Sequence, residues 1–219
     1  VQTGLDRLLK IPLGGELGML KLNQINALNR IHEMKFHLPI ASHIKSISSL
    51  DIAKAFEKYP SSRFGASYSE HVRDLGFISK GFLTGSIDLV FADNEGPLES
   101  KWWVGDWKSN WLGVDSEQIV SCGPQHYNQQ AMEEQMLVHD YPLQAHLYLV
   151  ALHRLLKWRL PNYSPYHHLG GYVYVFLRGI PEPEAIKENF KNKSHPGLII
   201  EKAPVARILE IDNIIGGNH

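Results

Sequence analysis

The 219-residue sequence has a single cysteine, Cys122. That excludes an internal disulfide and any self-contained four-cysteine zinc or iron–sulfur site, and it fits a reducing cytoplasm. No apolar run approaches the roughly 20 residues needed to span a bilayer, and the N-terminal segment lacks the basic start and apolar block of a secretory signal. The expectation is a soluble, cytoplasmic chain with no membrane contact. A Gly-x-x-x-x-Gly-Lys-Ser/Thr phosphate cradle is missing too, so this portion does not itself hydrolyse ATP. Positive charge is not in excess either: the formal net charge is -1. Binding to nucleic acid draws on clustered Lys and Arg, so it must come from a local patch or from a neighbouring domain or subunit.

What is present suffices for one substantial core. With 43% hydrophobic and 21% charged residues, a single domain over residues 1–219 is the natural reading. The sequence opens on Val1 and runs at once into a structured-looking segment, Gly4–Lys10. The expectation is a fragment of a longer polypeptide with something functional upstream.

Periodicity sets out the elements. Leu20, Leu22, Ile25, Leu28 and Ile31 recur mostly every three residues, which predicts an amphipathic helix. Met34, Phe36 and Leu38 alternate with polar residues until Pro39, predicting a half-buried strand. Ser49, or Asp51 after it, is placed to cap a helix reaching about Tyr59, and Pro60-Ser61-Ser62 breaks it. Gly81–Phe91 reads as a strand, residues 93–97 as a turn, and Trp102–Lys108 as the partner strand of a hairpin. Gln125–His139 and a segment from Pro142 to about Trp158 read as helices. Gly171–Leu177 reads as a strand buried on both faces. A short strand at Gly197–Ile200 and a helix from about Pro204 to Ile214 complete an α/β domain with a small mixed sheet.

The hairpin carries the chemistry. Residues i and i+2 of a strand share a face, so Asp106 and Lys108 emerge side by side, and Asp88 on the partner strand comes within reach of both. Two carboxylates with a lysine suit a hard divalent cation that keeps several of its waters, as Mg²⁺ prefers. Such an ion activates water and neutralises charge during phosphoryl displacement, and Lys108 would orient or help deprotonate that water, or stabilise the transition state. Taken alone, Asp plus Asp-x-Lys also fits a surface hairpin with a cross-strand ion pair, worth under about 1 kcal/mol.

The surrounding residues add a resemblance. Gly81-Phe-Leu-Thr-Gly-Ser-Ile-Asp88-Leu-Val-Phe and Val104-Gly-Asp106-Trp-Lys108-Ser-Asn110-Trp-Leu-Gly113 closely resemble the C-terminal nuclease domain of RecB subunits of bacterial exodeoxyribonuclease V. Gln129-Gln-Ala-Met132, Tyr141-Pro-Leu-Gln144-Ala-His-Leu-Tyr148, His167-His-Leu-Gly-Gly171 and Phe176-Leu-Arg-Gly179 are similar to that family in order and spacing, and Glu33–Ile40 looks like its first core strand. The resemblance runs from about Leu8 to Ile214. It implies a restriction-endonuclease-like PD-(D/E)XK core, a central mixed sheet flanked by helices, that cuts DNA with Mg²⁺, Mn²⁺ or Ca²⁺ being able to substitute in binding. It further implies metal ligation by Asp88, Asp106 and the backbone carbonyl of Trp107, catalysis by Lys108, and a Gln-x-x-x-Tyr motif in Gln144 and Tyr148. Those two share a helix face and are placed to contact DNA near the metal, although packing of that face explains them as well. Glu33 matches an acidic position of the first strand and equally fits a solvated edge glutamate.

The implied setting is a helicase-nuclease complex with RecC-like and RecD-like subunits, acting on DNA double-strand ends in recombinational repair. One departure is plain: the family's further ligand, a histidine on a helix before the first core strand, has no counterpart here. Weak metal binding or inactivity of the fragment, or a non-catalytic module that grips DNA or a partner subunit, stays open.

The remaining features have plainer readings. His146 and His153 lie two turns apart, about 11 Å, too far for one zinc ion on a straight helix. His167-His168 reads as a loop packed against the last strand. Trp102 and Trp103 read as strand filling and Trp107 as core, leaving Ser109, Asn110 and Trp111 better placed to touch substrate. Lys187–Lys193 reads as a solvated basic loop.

Overall fold

The strand-forming segments pair into one five-stranded mixed sheet in the computed structural model, which describes residues 2–40, 46–60, 63–64, 66–94, 96, 98–116, 119–186 and 195–216. The chain runs through α1 (Gln2–Leu8), β1 (Arg30–Pro39), β2 (Ile47–Ser48), α2 (Ser49–Lys58), α3 (Ser67–Asp74), β3 (Ile78–Ser79), β4 (Phe82–Ala92) and β5 (Trp102–Lys108). It continues through β6 (Val114–Asp115), β7 (Val120–Ser121), α4 (Gln129–Val138), α5 (Tyr141–Arg159), α6 (Pro165–His168), β8 (Leu169–Phe176), β9 (Leu198–Glu201) and α7 (Val205–Gly216). The sheet order is β1-β4-β5-β8-β9, antiparallel except for the parallel β5–β8 pair. A parallel step needs a long crossover, and here the crossover carries α4 and α5 onto the sheet.

Both faces of the sheet are covered. On one, Ile52, Phe56, Tyr68, Val72, Met132, Leu149, Leu152, Ile208 and Ile211 from the helices pack against Val90, Val104, Tyr172 and Phe176. Each fully buried Leu or Ile there contributes roughly 1.5–3 kcal/mol. On the other face, Leu8 of α1 and Ile11, Leu13, Leu22 and Ile25 after it cover Leu89, Phe91, Trp103 and Val175. Every residue of β8 is buried, which accounts for its unbroken apolar run.

Three segments differ from the sequence expectation. Residues 20–31 form two 3₁₀ turns, Leu22–Gln24 and Ala27–Asn29, and then enter β1. A three-residue spacing suits 3₁₀ turns as well as an α-helix. Asn26 caps the second turn by accepting from Leu28 N–H, and Leu28 itself is exposed, which interrupts the apolar stripe. The α2 cap is Ser48, one residue earlier than expected, and Asp51 closes a reciprocal capping box with it. The helix expected from Gln125 starts at Gln129, because Asn128 takes the N-cap and Pro124–His126 forms a separate turn.

The β4–β5 connection is longer than a tight turn. Asp93 holds it, accepting from Lys101 N–H at 2.9 Å and from the Trp103 indole at 3.2 Å. Residues 61–62, 95, 97 and 187–193, which enter the loop expectations above, lie outside the described residues. Among the described residues no helix is long and apolar enough to cross a membrane.

Candidate active site

Strand β5 places Asp106 and Lys108 on the face covered by α5, and turns Trp107 into the opposite core. Lys108 Nζ stands 2.6 Å from Asp106 Oδ2 and donates to Gln144 Oε1 at 3.2 Å. The ammonium also lies 3.8 Å from the centre of the Tyr141 ring and 5.2 Å from that of Tyr174. Tyr141 and Tyr174 stack on one another, and the Tyr174 hydroxyl donates to the same Gln144 oxygen at 2.8 Å. Lys108 is thereby fixed by a carboxylate, an amide oxygen and two aromatic faces.

Asp88 arrives from β4. Leu83 and Ile87 face the helices, and so do Val90 and Ala92, whereas Leu89 and Phe91 face the opposite core. The inside-outside alternation therefore slips by one residue at Asp88, which remains half-buried and accepts the Trp107 backbone N–H at 2.9 Å through Oδ2. The β1–β4 register sets Glu33 opposite Asp88, and this step is skipped by the ladder. Glu33 is exposed and has a φ of 50°, a left-handed conformation that an L side chain resists.

Helix α5 brings both members of the Gln-x-x-x-Tyr pair to the site. Gln144 reaches Lys108, and the Tyr148 hydroxyl lies beside the Asp106 carboxyl. Burial pushes the Tyr148 phenol upward, with the Asp106 and Asp88 charges adding to the effect, so Tyr148 stays a donor at neutral pH. Burial likewise pushes the Asp106 carboxyl above the ordinary carboxylate range, and Asp88 adds to this while Lys108 and Tyr148 oppose it.

The donor set bears on the metal expectation. Asp106 Oδ2 is buried and, despite the ammonium contact, has no well-aligned hydrogen-bond donor. Among the described residues no cluster of three or more His, Cys, Asp or Glu side chains is set to hold a metal ion. A pair of carboxylates, one of whose oxygens meets an ammonium but no aligned donor, fits a hard cation that keeps several waters.

Of the expected site residues, Asp106, Lys108 and Gln144 are joined by direct contacts, Tyr148 lies beside Asp106, and Asp88 bonds the Trp107 N–H between Asp106 and Lys108 and acts on Asp106 through its charge. Tyr141 and Tyr174 were not read from the sequence. Their signals were present, since Tyr141 sits three residues before Gln144 on one helix and Tyr174 pairs with Asp106 across β5–β8. The histidines have other work. His146 lies between the Pro142 carbonyl and Arg207 Nη1, at 2.6 and 2.9 Å, and His153 Nδ1 is 2.9 Å from the Tyr163 hydroxyl. His168 ends the short α6 rather than a loop, and bridges Ser164 and the Leu98 carbonyl.

No protein-family model matches the chain. Among curated proteins it is similar to the RecBCD enzyme subunit RecB of Escherichia coli (strain K12), 35% identical over 192 residues. That alignment covers 87% of this chain and 14% of the relative. The RecB subunit of Mycolicibacterium smegmatis is 36% identical over 180 residues, 77% of this chain and 16% of that protein. The Haemophilus influenzae RecB is 30% identical over 215 residues, covering 98% of this chain and 15% of its relative. The chain thus spans about a seventh of the length of the relatives it matches. It belongs to the RecB family, matching a limited stretch of those subunits.

Proposed function

We propose that this domain hydrolyses DNA phosphodiester bonds with Mg²⁺, as the nuclease part of a helicase-nuclease subunit that processes double-strand ends in recombinational repair. One observation carries the reading: Asp106 and Lys108 project together from β5 beside Asp88, and α5 lays Gln144 and Tyr148 against them. Asp88, Asp106 and the Trp107 carbonyl would hold the ion. When bound it would supply charge neutralisation on the phosphate and a lowered pKa for the attacking water.

The chain's own groups do the rest. The Lys108 ammonium, fixed before substrate arrives, stabilises negative charge that grows on the phosphate oxygens. Gln144 holds that ammonium in place, and Tyr148 steadies Asp106 from beside it. Burial of Asp106 keeps water from screening these interactions. The partners are DNA together with RecC-like and RecD-like subunits, since the relatives are named as subunits of a RecBCD enzyme. The setting is the cytoplasm.

A non-catalytic module that grips DNA or a partner subunit is the second reading, favoured by the two-carboxylate donor set among the described residues. Labelled DNA incubated with the full-length parent decides between the two. Asp106→Ala should abolish Mg²⁺-dependent degradation and leave ATP-driven unwinding nearly intact, and unchanged degradation would reject the nuclease assignment. Calorimetric titration with Ca²⁺ or Mn²⁺ should show binding that is lost in Asp106→Ala. No binding at millimolar ion favours the second reading.

A further inference from the structure

The strand end beyond Lys108 is held with unusual care. Asn110 is fixed by three side chains: Tyr127 donates to its carbonyl at 2.6 Å, Tyr141 donates to Oδ1 at 3.3 Å, and its own amide donates to Gln135 at 3.3 Å. Leu112 N–H donates to the Tyr127 hydroxyl at 3.3 Å. Between these two anchored residues Trp111 is nevertheless 44% exposed. Burying an indole is ordinarily favourable, and a mobile loop would have folded it down. Here the anchored backbone holds it out.

A second element meets it. Arg178 follows β8, the parallel neighbour of β5, so the two strands end side by side with Lys108 paired to Phe176. Its Nε donates to the Ser109 carbonyl at 3.2 Å, and its guanidinium lies 5.3 Å from the centre of the Trp111 ring. That is within cation–π range. A rigid exposed indole joined to a guanidinium, at the carboxyl ends of adjacent parallel strands where open α/β sheets take their ligands, suits an extended π-face bearing negative charge. Tyr141 ties this loop to the catalytic lysine, since its hydroxyl bonds Asn110 and its ring lies against Lys108. Three residues of chain reach at most about 11 Å, which corresponds to roughly three stacked nucleotides at about 3.4 Å each.

We propose that Trp111, backed by Arg178, is a stacking platform for a base of single-stranded DNA within a few nucleotides of the phosphate held at Asp106 and Lys108. The inference rests on the nuclease reading and adds how the strand is gripped: by a base face laid on Trp111, without sequence preference.

The test is binding of the 219-residue chain, with Ca²⁺ in place of Mg²⁺, to labelled oligothymidylate and to an oligonucleotide of equal length lacking a few consecutive bases. Trp111→Ala should weaken oligothymidylate binding about five- to a hundred-fold, the range for one base on one aromatic ring, and Trp111→Phe should restore most of it. On the abasic oligonucleotide the unmodified chain should fall to the Trp111→Ala level, and the variant should lose nothing more. Unaltered melting temperatures exclude a folding defect. If the chain binds oligothymidylate and Trp111→Ala binds equally well, the platform is overturned and the nuclease reading stands. If the unmodified chain binds neither oligonucleotide, the platform is overturned, while the nuclease reading is judged by Asp106→Ala in the full-length parent.

Discussion

Two buried polar clusters lie on the same side of the sheet, and both draw on α5. At the first, Lys108, Asp106, Gln144 and Tyr148 meet beside the half-buried Asp88. At the second, Arg207, fully buried, donates to the Tyr59 carbonyl at 2.6 Å and to His146 at 2.9 Å, and lies 4.9 Å from the Phe56 ring centre. Close by, Glu201 accepts from the Tyr172 hydroxyl and pairs with Arg63. Each cluster therefore has a cation, a carboxylate and tyrosines. The difference lies in what is left unengaged and where it points. The first leaves a carboxylate oxygen without an aligned donor beside an acid that reaches solvent, whereas the second leaves a guanidinium nitrogen, Arg207 Nη2, buried where α7 meets α2. Cluster composition alone does not separate a candidate reactive centre from a structural one; access does, together with whether the group left over is an anion that a cation can meet.

The largest expected effect follows from that contrast. Asp106→Asn should cut DNA cleavage by roughly 10²–10³-fold or more, as loss of a preorganised electrostatic group does, while melting of the metal-free chain stays level or rises. Removing a desolvated carboxylate beside a second carboxylate offsets the loss of the Lys108 partner. Lys108→Gln should lower turnover by a similar factor with little change in DNA affinity, since a transition-state contact acts on rate more than on binding. A melting temperature that falls with either substitution would erase the distinction between the two clusters.

The second cluster should respond in the opposite way. His146→Ala takes the acceptor from a buried guanidinium, a loss of about 3 kcal/mol, or roughly 6–12 °C in melting temperature for a chain of this size. Cleavage per folded molecule should be unchanged. Acid should act here too, because burial foremost, and then the Arg207 charge, lower His146 from 6.5 to about 3. A depressed histidine pKa means that the unfolded chain takes up the proton first. Stability from this group is complete above pH 6.5 and declines by about 1.4 kcal/mol per unit as pH falls toward 3. In His146→Ala that part of the pH-dependence should vanish from denaturant titrations. An identical acid slope in both proteins would place the titration elsewhere.

Much of this was legible in the sequence, and unevenly so. The β4–β5 hairpin, β8 and α5 stand within two or three residues of the segments read from periodicity, because each is long and strongly patterned. The Asp-x-Lys pair and Gln144/Tyr148 follow from the strand and helix periods and from the family resemblance. The 3₁₀ turns over residues 22–29 did not follow, since local spacing leaves helix type open and packing onto Leu89 and Phe91 decides it. Nor did α3, an eight-residue helix whose apolar face is only Tyr68 and Val72. Arg207 and His146, 61 positions apart, gave no local signal of a partnership that only the tertiary fold creates.

The smallest effect concerns the strained step beside Asp88. A left-handed glutamate stores about 1–2 kcal/mol, whereas glycine tolerates that conformation and adds about 0.5–1 kcal/mol of unfolded-state entropy. Glu33→Gly should therefore gain at most about 1.5 kcal/mol in denaturant unfolding and keep its cleavage. Glu33→Val cannot hold a positive φ at tolerable strain, so the skipped rung of β1–β4 should close and rotate Asp88 from its Trp107 contact. Cleavage should then fall without loss of the fold. If Glu33→Gly and Glu33→Gln both lose cleavage while folded, the carboxylate rather than the backbone is what the site uses, and β1 joins the reactive cluster by its side chain. If all three cleave normally, Asp88 is positioned from β5 alone, by the Trp107 N–H that already holds it.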